Sequence, residues 1–269
     1  MSNFLQRIIT GAVFVGAILA SIWWGPLSFQ LLFFIAAILS LDEFYKIVGK
    51  GSCRPNRPYG LLAGAAAYLL LSFAAFDAGL KPYMVLLLPL LCIVFFAELY
   101  RKDEKPFTNI AYTLTGIFYT ILPFALLSHV ATHDQDYDRG LLAGYFLLLW
   151  SSDSFAYVFG NLFGKHRLFE RISPKKSWEG SIGGGLSTLG VAHALSIFQP
   201  QLSWLDWQVI ALLVILTGTL GDLSESMLKR SLQVKDSGSI LPGHGGMLDR
   251  FDALFLSVPF VWAYLYCFS

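Results

Sequence analysis

The feature that most constrains this chain is a succession of long apolar runs separated by short polar segments. A membrane-crossing α-helix needs about 20 predominantly apolar residues. The runs have no strict alternation of the kind found in barrel strands. They therefore predict an all-α integral membrane protein with about nine transmembrane helices, at residues 6–24, 27–47, 59–76, 82–98, 108–128, 140–160, 181–198, 206–226 and 251–268.

Composition argues against a soluble protein. Of the 269 residues 14% are charged and 55% hydrophobic, whereas a soluble domain carries about 25% charged residues. The three cysteines, Cys53, Cys92 and Cys267, lie far apart and show no metal-binding or disulfide spacing. We interpret the first run as a retained helix and not a signal peptide, because so many apolar runs follow it. One polytopic membrane domain over residues 1–269 is expected.

The distribution of basic residues predicts an orientation. Nine spans would place 17 of the 19 basic residues on one side and only Lys81 and Arg139 on the other. Basic loops stay in the cytoplasm during insertion, so the N-terminus is predicted to be cytoplasmic and the C-terminus outside. We expect N-terminal helices in residues 1–107, and in 108–269 the helices and cytoplasmic loops that carry an active site at the inner membrane. The net charge of +1 says nothing about a nucleic-acid partner, and none is expected.

Carboxylates cluster near the ends of the last two predicted helices. If the eighth helix continues to about residue 230, Asp222 and Glu225 share one face with Ser226 and Lys229. The ninth helix begins with Asp249 and Asp252, about one turn apart. Carboxylates at such positions are costly unless they are paired or bound to a metal. Hard oxygen ligands of this kind suit Mg²⁺.

Cations and glycines surround these carboxylates. A glycine-rich stretch at residues 242–246 can bring backbone N–H groups close to an anion. Carboxylates for a divalent metal, cations and a glycine loop together are typical of phosphoryl-type transfer, where catalysis is mainly positioning and charge neutralisation. The cations are Lys229, Arg230, Lys235 and Arg250.

Two further polar features precede this region. Residues 171–180 combine two lysines with two hydroxyls at a helix start, which fits a phosphate-binding patch or simply a basic cytoplasmic loop. Asp153 lies inside the sixth run, where an ionisable side chain is either functional or a structural partner. Gly183, Gly184 and Gly185 favour close helix packing. Residues 160–166 only superficially resemble a P-loop, because no strand precedes them and no Ser or Thr follows the lysine.

The segment from Ser226 to Asp252, here called the signature segment, resembles the diagnostic pattern of phosphatidate cytidylyltransferases, also called CDP-diacylglycerol synthases. Residues 153–157 and 173–180 look like the same family. The matching positions within the signature segment are Ser226, Leu228, Lys229, Arg230, Lys235, Asp236, Gly238, Leu241, Pro242, His244, Gly245, Gly246, Met247, Asp249, Arg250, Phe251 and Asp252.

The resemblance implies that CTP and phosphatidic acid are converted to CDP-diacylglycerol and pyrophosphate. It also implies Mg²⁺, either alone or with a second cation beside it, and a homodimer. By matching positions, Asp222 and Asp249 would be the metal-site carboxylates. The expected catalytic residues are Asp222, Lys229, Lys235, Asp236, His244, Asp249 and Arg250. The expected substrate-binding residues are Asp153, Ser173, Lys175, Lys176, Ser177, Glu179, Ser226, Arg230, Gly245, Gly246 and Asp252.

Two other functions are compatible with parts of the pattern. A transporter or channel would also be polytopic and could use Asp153, but such proteins place their sites near the bilayer midplane and often contain repeats. An enzyme acting on another lipid phosphate, such as an isoprenoid or archaeal-type lipid, would need the same headgroup site. The preference for CTP rests on the resemblance alone, because no cytosine-reading residue is identifiable.

Overall fold

Helices make up most of the computed structural model, which describes residues 3–133, 136–238, 240 and 245–269, with side chains from Ile9 onwards. The chain divides into two units. Unit 1 comprises Met1–Tyr137 and Ser231–Phe251, and unit 2 comprises Asp138–Arg230 and Asp252–Ser269. Both units are discontinuous in sequence, since residues 231–251 belong with the N-terminal half of the chain.

Unit 1 contains the first six α-helices. A 3₁₀ segment, Ala78–Leu86, continues directly into α4. It contains Pro82, and proline disfavours a regular α-helix because it removes one helical hydrogen bond. A short π-helical segment, Ile117–Ile121, joins α5 to α6, and a 3₁₀ turn, Leu248–Arg250, lies near the end of the signature segment. The helices are α1 (Asn3–Trp24), α2 (Pro26–Val48), α3 (Arg57–Phe76), α4 (Leu87–Leu99), α5 (Pro106–Gly116) and α6 (Leu122–Ala131).

Unit 2 contains five α-helices and a small hairpin. A second π-helical segment, Val214–Gly218, joins α9 to α10. Side chains at the helix starts explain where several helices begin, since Asp138, Ser177 and Ser203 each accept a hydrogen bond from a backbone N–H of the first turn. The elements are α7 (Arg139–Phe163), β1 (Arg167–Phe169), β2 (Ser173–Ser177), α8 (Trp178–Phe198), α9 (Trp204–Leu213), α10 (Thr219–Ser231) and α11 (Asp252–Phe268).

The helical segments coincide with the predicted apolar runs. In the part of the chain that is described, six segments are long and apolar enough to cross a membrane. Two shorter apolar helices, Ile9–Trp24 and Asp252–Phe268, lie at either end. Length and composition thus indicate a multi-pass membrane protein. The count of nine spans and the orientation of the termini stay predictions.

A two-stranded antiparallel sheet modifies the all-α expectation. In β1 and β2, Arg167 pairs with Ser177 and Phe169 with Ser173. β1 has only three residues, and β2 is polar and contains Pro174, so neither shows the apolar alternation by which strands are recognised. The fold is therefore nearly all-α, with a hairpin in the predicted loop at 161–180.

An aromatic cluster fixes the end of the signature segment within unit 1. Phe251 contacts Phe33 of α2 and Phe124 of α6, with ring centroids 6.0 and 4.8 Å away. Phe33 and Phe124 are completely buried, and Phe251 is nearly so. Aromatic pairs at these distances contribute about 0.5–1.5 kcal/mol each beyond the area that they bury. Residues just before Phe251 are thereby held against the N-terminal helices.

Candidate active site

A polar cavity of about 540 Å³ lies within unit 2. Its size is typical of small-molecule sites, which occupy roughly 300–1,000 Å³. Residues from α7, the hairpin and the starts of α8, α10 and α11 line it. The polar lining residues are Ser152, Asp153, Tyr157, Asn161, Arg167, Lys175, Lys176, Ser177, Ser181, Thr219, Asp222 and Asp252.

Close packing of α7 against α8 places one wall of this cavity. A Cβ atom added at Gly180 would lie 2.7 Å from the backbone oxygen of Ala156, and one at Gly184 would lie 2.8 Å from its backbone nitrogen. Gly180 is also close to Gly160. The helices thus pack through small residues four apart, the arrangement that lets membrane helices approach most closely. Gly183 also packs tightly, against Phe159, as the glycine-rich start of this helix predicted.

The hairpin is held by its junction with α8. The carboxylate of Glu179 accepts hydrogen bonds from the backbone nitrogens of Lys165 and His166, and one oxygen lies 2.6 Å from Nδ1 of His166. The Ser177 hydroxyl accepts a hydrogen bond from the nitrogen of Gly180. These contacts give Glu179 a role in holding the hairpin. It is not among the residues lining the cavity, and its predicted substrate contact stays a prediction.

Three carboxylates meet at the starts of α10 and α11. Oxygen atoms of Asp222, Glu225 and Asp252 all lie within 4.8 Å of one another. Gly221 allows this approach, because a Cβ atom there would lie 2.5 Å from the backbone oxygen of Asp252. The predicted extension of the eighth helix past residue 226 is observed, since α10 continues to Ser231. This extension places Asp222 and Glu225 on the same face of α10.

Two lysines compensate part of this negative charge. Nζ of Lys176 lies 2.6 Å from Asp222, and both side chains are partly exposed to the cavity. Nζ of Lys229 lies 2.6 Å from Glu225, whose side chain is completely buried. Lys229 is not among the cavity-lining residues. The structure therefore places this predicted catalytic lysine beside Glu225.

The carboxylates suggest how the cavity could accept a polyphosphate. Its lining has three carboxylates and three cations, so the formal charges balance; these are Asp153, Asp222 and Asp252, and Arg167, Lys175 and Lys176. A polyphosphate requires a surplus of positive charge, which a divalent cation on the carboxylates would supply. An all-oxygen donor set fits Mg²⁺, which commonly binds one or two carboxylates together with substrate phosphates.

Asp249 and the glycines Gly245 and Gly246 belong to unit 1. One oxygen of Asp249 accepts hydrogen bonds from the backbone nitrogens of Ser237 and Gly246, at 2.9 and 2.8 Å. Gly245 has a left-handed φ of 83°, and a Cβ atom there would lie 2.6 Å from the Asp249 carboxylate. A larger residue at Gly245 would thus meet both strain and a clash.

The other predicted site residues are divided between the two units. Lys235, Asp236 and Arg250 are exposed in unit 1. In unit 2, Ser173 begins β2, Arg230 is exposed near the end of α10, and Ser226 donates to Asp222 over 3.3 Å. His244 lies outside the described residues. The Asp222 and Asp249 metal pair stays a prediction, because the two residues belong to different units; Asp222 is instead grouped with Glu225 and Asp252.

Sequence reasoning missed several cavity residues. Tyr157 and Asn161 follow Asp153 at spacings of four along α7, which places all three on one helix face. That spacing could have identified them. Arg167 had no such signal, because it enters the cavity from the unpredicted strand β1.

Comparison with known proteins identifies the class. The sequence matches the profile of the cytidylyltransferase family over residues 5–268. The chain therefore belongs to the cytidylyltransferase family. Among its relatives, the phosphatidate cytidylyltransferase of Haemophilus influenzae is 32% identical, with 98% of each chain covered. The phosphatidate cytidylyltransferase of Bacillus subtilis is 31% identical over the whole of both chains.

Proposed function

We propose that this protein transfers the cytidylyl group of CTP to phosphatidic acid, giving CDP-diacylglycerol and pyrophosphate. Membership of the cytidylyltransferase family and full-length similarity to phosphatidate cytidylyltransferases support this reaction. The observation that carries the site assignment is the unit 2 cavity, where Lys176 and Asp222 form a 2.6 Å ion pair beside Asp252. Such a mixed-charge site suits two phosphates and a metal ion.

The nucleophile needs little activation. A phosphate monoester has a second pKa of about 6, so the phosphate of phosphatidic acid is already largely ionised near neutral pH. Its oxygen attacks the α-phosphorus of CTP, an O–P bond forms, and the bond to the pyrophosphate leaving group breaks. No protein base is required for this step. The protein must instead hold two anions together against their repulsion.

Cations lining the cavity would oppose that repulsion. Arg167, Lys175 and Lys176 would contact phosphate oxygens, with the guanidinium able to bind two oxygens at once. Asp222 and Asp252 would hold Mg²⁺, which when bound neutralises charge and orients the phosphates. Asp249 remains the metal-site carboxylate that the resemblance predicts from unit 1. A second cation and a homodimer likewise stay predictions.

The membrane fold agrees with the chemistry of the substrates. Acyl chains of phosphatidic acid remain in the bilayer while its phosphate meets a water-soluble nucleotide at the surface. We propose the inner membrane as the location and the cytoplasmic face as the side of the active site. CTP is available on that side, and the basic loops are predicted there.

A direct assay tests the reaction. Detergent-purified protein is incubated with Mg²⁺, CTP labelled at its α-phosphate and phosphatidic acid, and both labelled lipid and released pyrophosphate are measured. We expect equal amounts of the two products, and their loss with EDTA. The same assay is repeated with an isoprenoid phosphate. Product from that lipid but none from phosphatidic acid would show that the lipid substrate is not phosphatidic acid. No transfer by folded protein to either lipid would contradict the proposal and favour a transporter.

A further inference from the structure

Glu43, a buried carboxylate of α2, lies against the signature segment in unit 1. It is only 2% exposed. Its Oε2 accepts hydrogen bonds from the hydroxyl of Ser237, at 3.1 Å, and from the backbone nitrogen of Leu248, at 2.8 Å. Burying a carboxylate is costly unless it is hydrogen bonded. Its burial against two parts of one distant segment therefore indicates a specific structural requirement.

The signature segment also fits closely around Glu43. A Cβ atom at Gly238 would lie 2.5 Å from Oε1 of Glu43, and one at Gly246 would overlap Oε2. Only glycine leaves room for the carboxylate at these two places. Gly238 and Gly246 were matched to the family pattern without a structural reason, and Glu43 supplies one.

Ser237 connects Glu43 to Asp249. Its hydroxyl oxygen lies 2.8 Å from Oδ2 of Asp249 and 3.1 Å from Oε2 of Glu43. A serine hydroxyl has one hydrogen to donate, so the two carboxylates compete for it. Oδ2 of Asp249 also accepts hydrogen bonds from the backbone nitrogens of Ser237 and Gly246. Any change at Glu43 therefore alters both the hydroxyl available to Asp249 and the backbone that orients it.

We propose that Glu43 is a positioning residue for Asp249, acting through Ser237 and the backbone of Leu248. The inference rests on the proposed function, in which Asp249 is a metal-site carboxylate. Glu43 does not itself contact substrate. It acts as an acceptor around which the signature segment folds, so the hydrogen bonds of its carboxylate matter more than its charge.

Three variants test this role. Glu43→Ala removes the acceptor, whereas Glu43→Gln keeps one acceptor oxygen in nearly the same shape. Glu98→Ala is the matched control, since Glu98 is also buried in unit 1, at 3% exposed, and its partners Arg101 and Asn109 lie outside the signature segment. Amide hydrogen exchange at residues 245–249, Mn²⁺ binding without substrates, and kcat and KM are measured for each folded protein.

We expect Glu43→Ala to exchange faster at residues 245–249 and to lose about 10- to 100-fold in both Mn²⁺ affinity and kcat, the usual effect of losing a residue that orients a metal ligand. Its KM for phosphatidic acid should stay unchanged. Glu43→Gln should recover kcat to within about fivefold of wild type, a difference of about 1 kcal/mol. Glu98→Ala should show none of the local changes.

Other outcomes overturn the inference. Unchanged exchange at residues 245–249 in Glu43→Ala would show that Glu43 does not hold this segment. Faster exchange with wild-type kcat and Mn²⁺ affinity would show that it does not act on Asp249. Failure of the proposed function would be distinguishable, because wild type and Glu98→Ala would then also make no CDP-diacylglycerol, while hydrogen exchange would still report on Glu43.

Discussion

At the scale of single residues, Lys176 forms an ion pair with a carboxylate of the unit 2 cavity. Its ammonium group lies 2.6 Å from Asp222 and also within 3.5 Å of the backbone oxygen of Thr219. The site thus keeps a cation next to its carboxylate before any ligand binds. If Asp222 held Mg²⁺, as we propose, the same lysine would be available to a substrate phosphate.

Replacing this lysine should weaken catalysis. Lys176→Met removes a charge-assisted hydrogen bond, worth about 1.5–3 kcal/mol, so kcat/KM for CTP should fall roughly 10- to 100-fold. Lys165→Met serves as the control, because Lys165 lies just before the hairpin that carries Lys176 but is not among the cavity-lining residues. Steady-state kinetics with saturating phosphatidic acid measure both. Equal losses in the two variants would contradict a specific role for Lys176.

Some site residues were predictable from the sequence and others were not. Asp153 and Asp222 were identifiable because ionisable side chains in apolar helices are costly without a function or partner. Glu43 was not, since it lies 194 residues before Ser237 and only folding brings the two together. Arg167 was missed because its strand was not predicted.

At the scale of elements, two closely packed helices, α7 and α8, contribute residues to the cavity lining. A Cβ atom added at Gly184 would meet the backbone of Ala156, whereas one added at Gly190, further along α8, would have no neighbour within 4 Å. Gly184 and Gly190 therefore differ in packing. The first is needed for helix approach, and the second is not.

A pair of substitutions separates these roles. Gly184→Ala would bring a methyl group 2.8 Å from backbone, which should destabilise the protein by about 1–3 kcal/mol through overpacking. Gly190→Ala should be neutral or stabilising by about 0.5–1 kcal/mol, because alanine favours helix more than glycine does. Thermal unfolding in detergent measures both. A neutral Gly184→Ala would contradict the close helix crossing.

Helix positions followed from hydropathy, but interruptions within helices did not. The π-helical segment Val214–Gly218 directly precedes α10, which carries Thr219 and Asp222 into the cavity. Such segments are rare in proteins and are frequent at functional sites. From the sequence, each apolar run predicts one uninterrupted helix.

At the scale of the whole molecule, hydropathy predicts how many times the chain crosses the bilayer but not how its helices group. Residues 231–251 belong to the unit formed by the N-terminal helices. Apolar helices look alike in sequence, and their association depends on local packing and not on hydrophobicity. The aromatic contacts of Phe251 with Phe33 and Phe124 are one physical reason for this grouping.

The predicted orientation can be measured with reporter fusions. Alkaline phosphatase requires disulfides, which form only outside the cytoplasm. Fused after residue 269 it should be active, and fused after residue 104, in a basic loop, it should be inactive. Green fluorescent protein at the same two sites should give the opposite result. Fluorescence from the fusion after residue 269 would contradict the nine-span orientation.

The most direct test of the central claim, that the unit 2 cavity performs cytidylyl transfer, is to measure kcat for Asp222→Asn. Asp206→Asn is the matched control, because Asp206 caps the start of α9 by accepting hydrogen bonds from Ser203 and lies outside the cavity lining. We predict that Asp222→Asn lowers kcat at least ~100-fold, through loss of several kcal/mol of metal-dependent charge stabilisation, while Asp206→Asn turns over normally. Near-normal turnover by folded Asp222→Asn would contradict the claim.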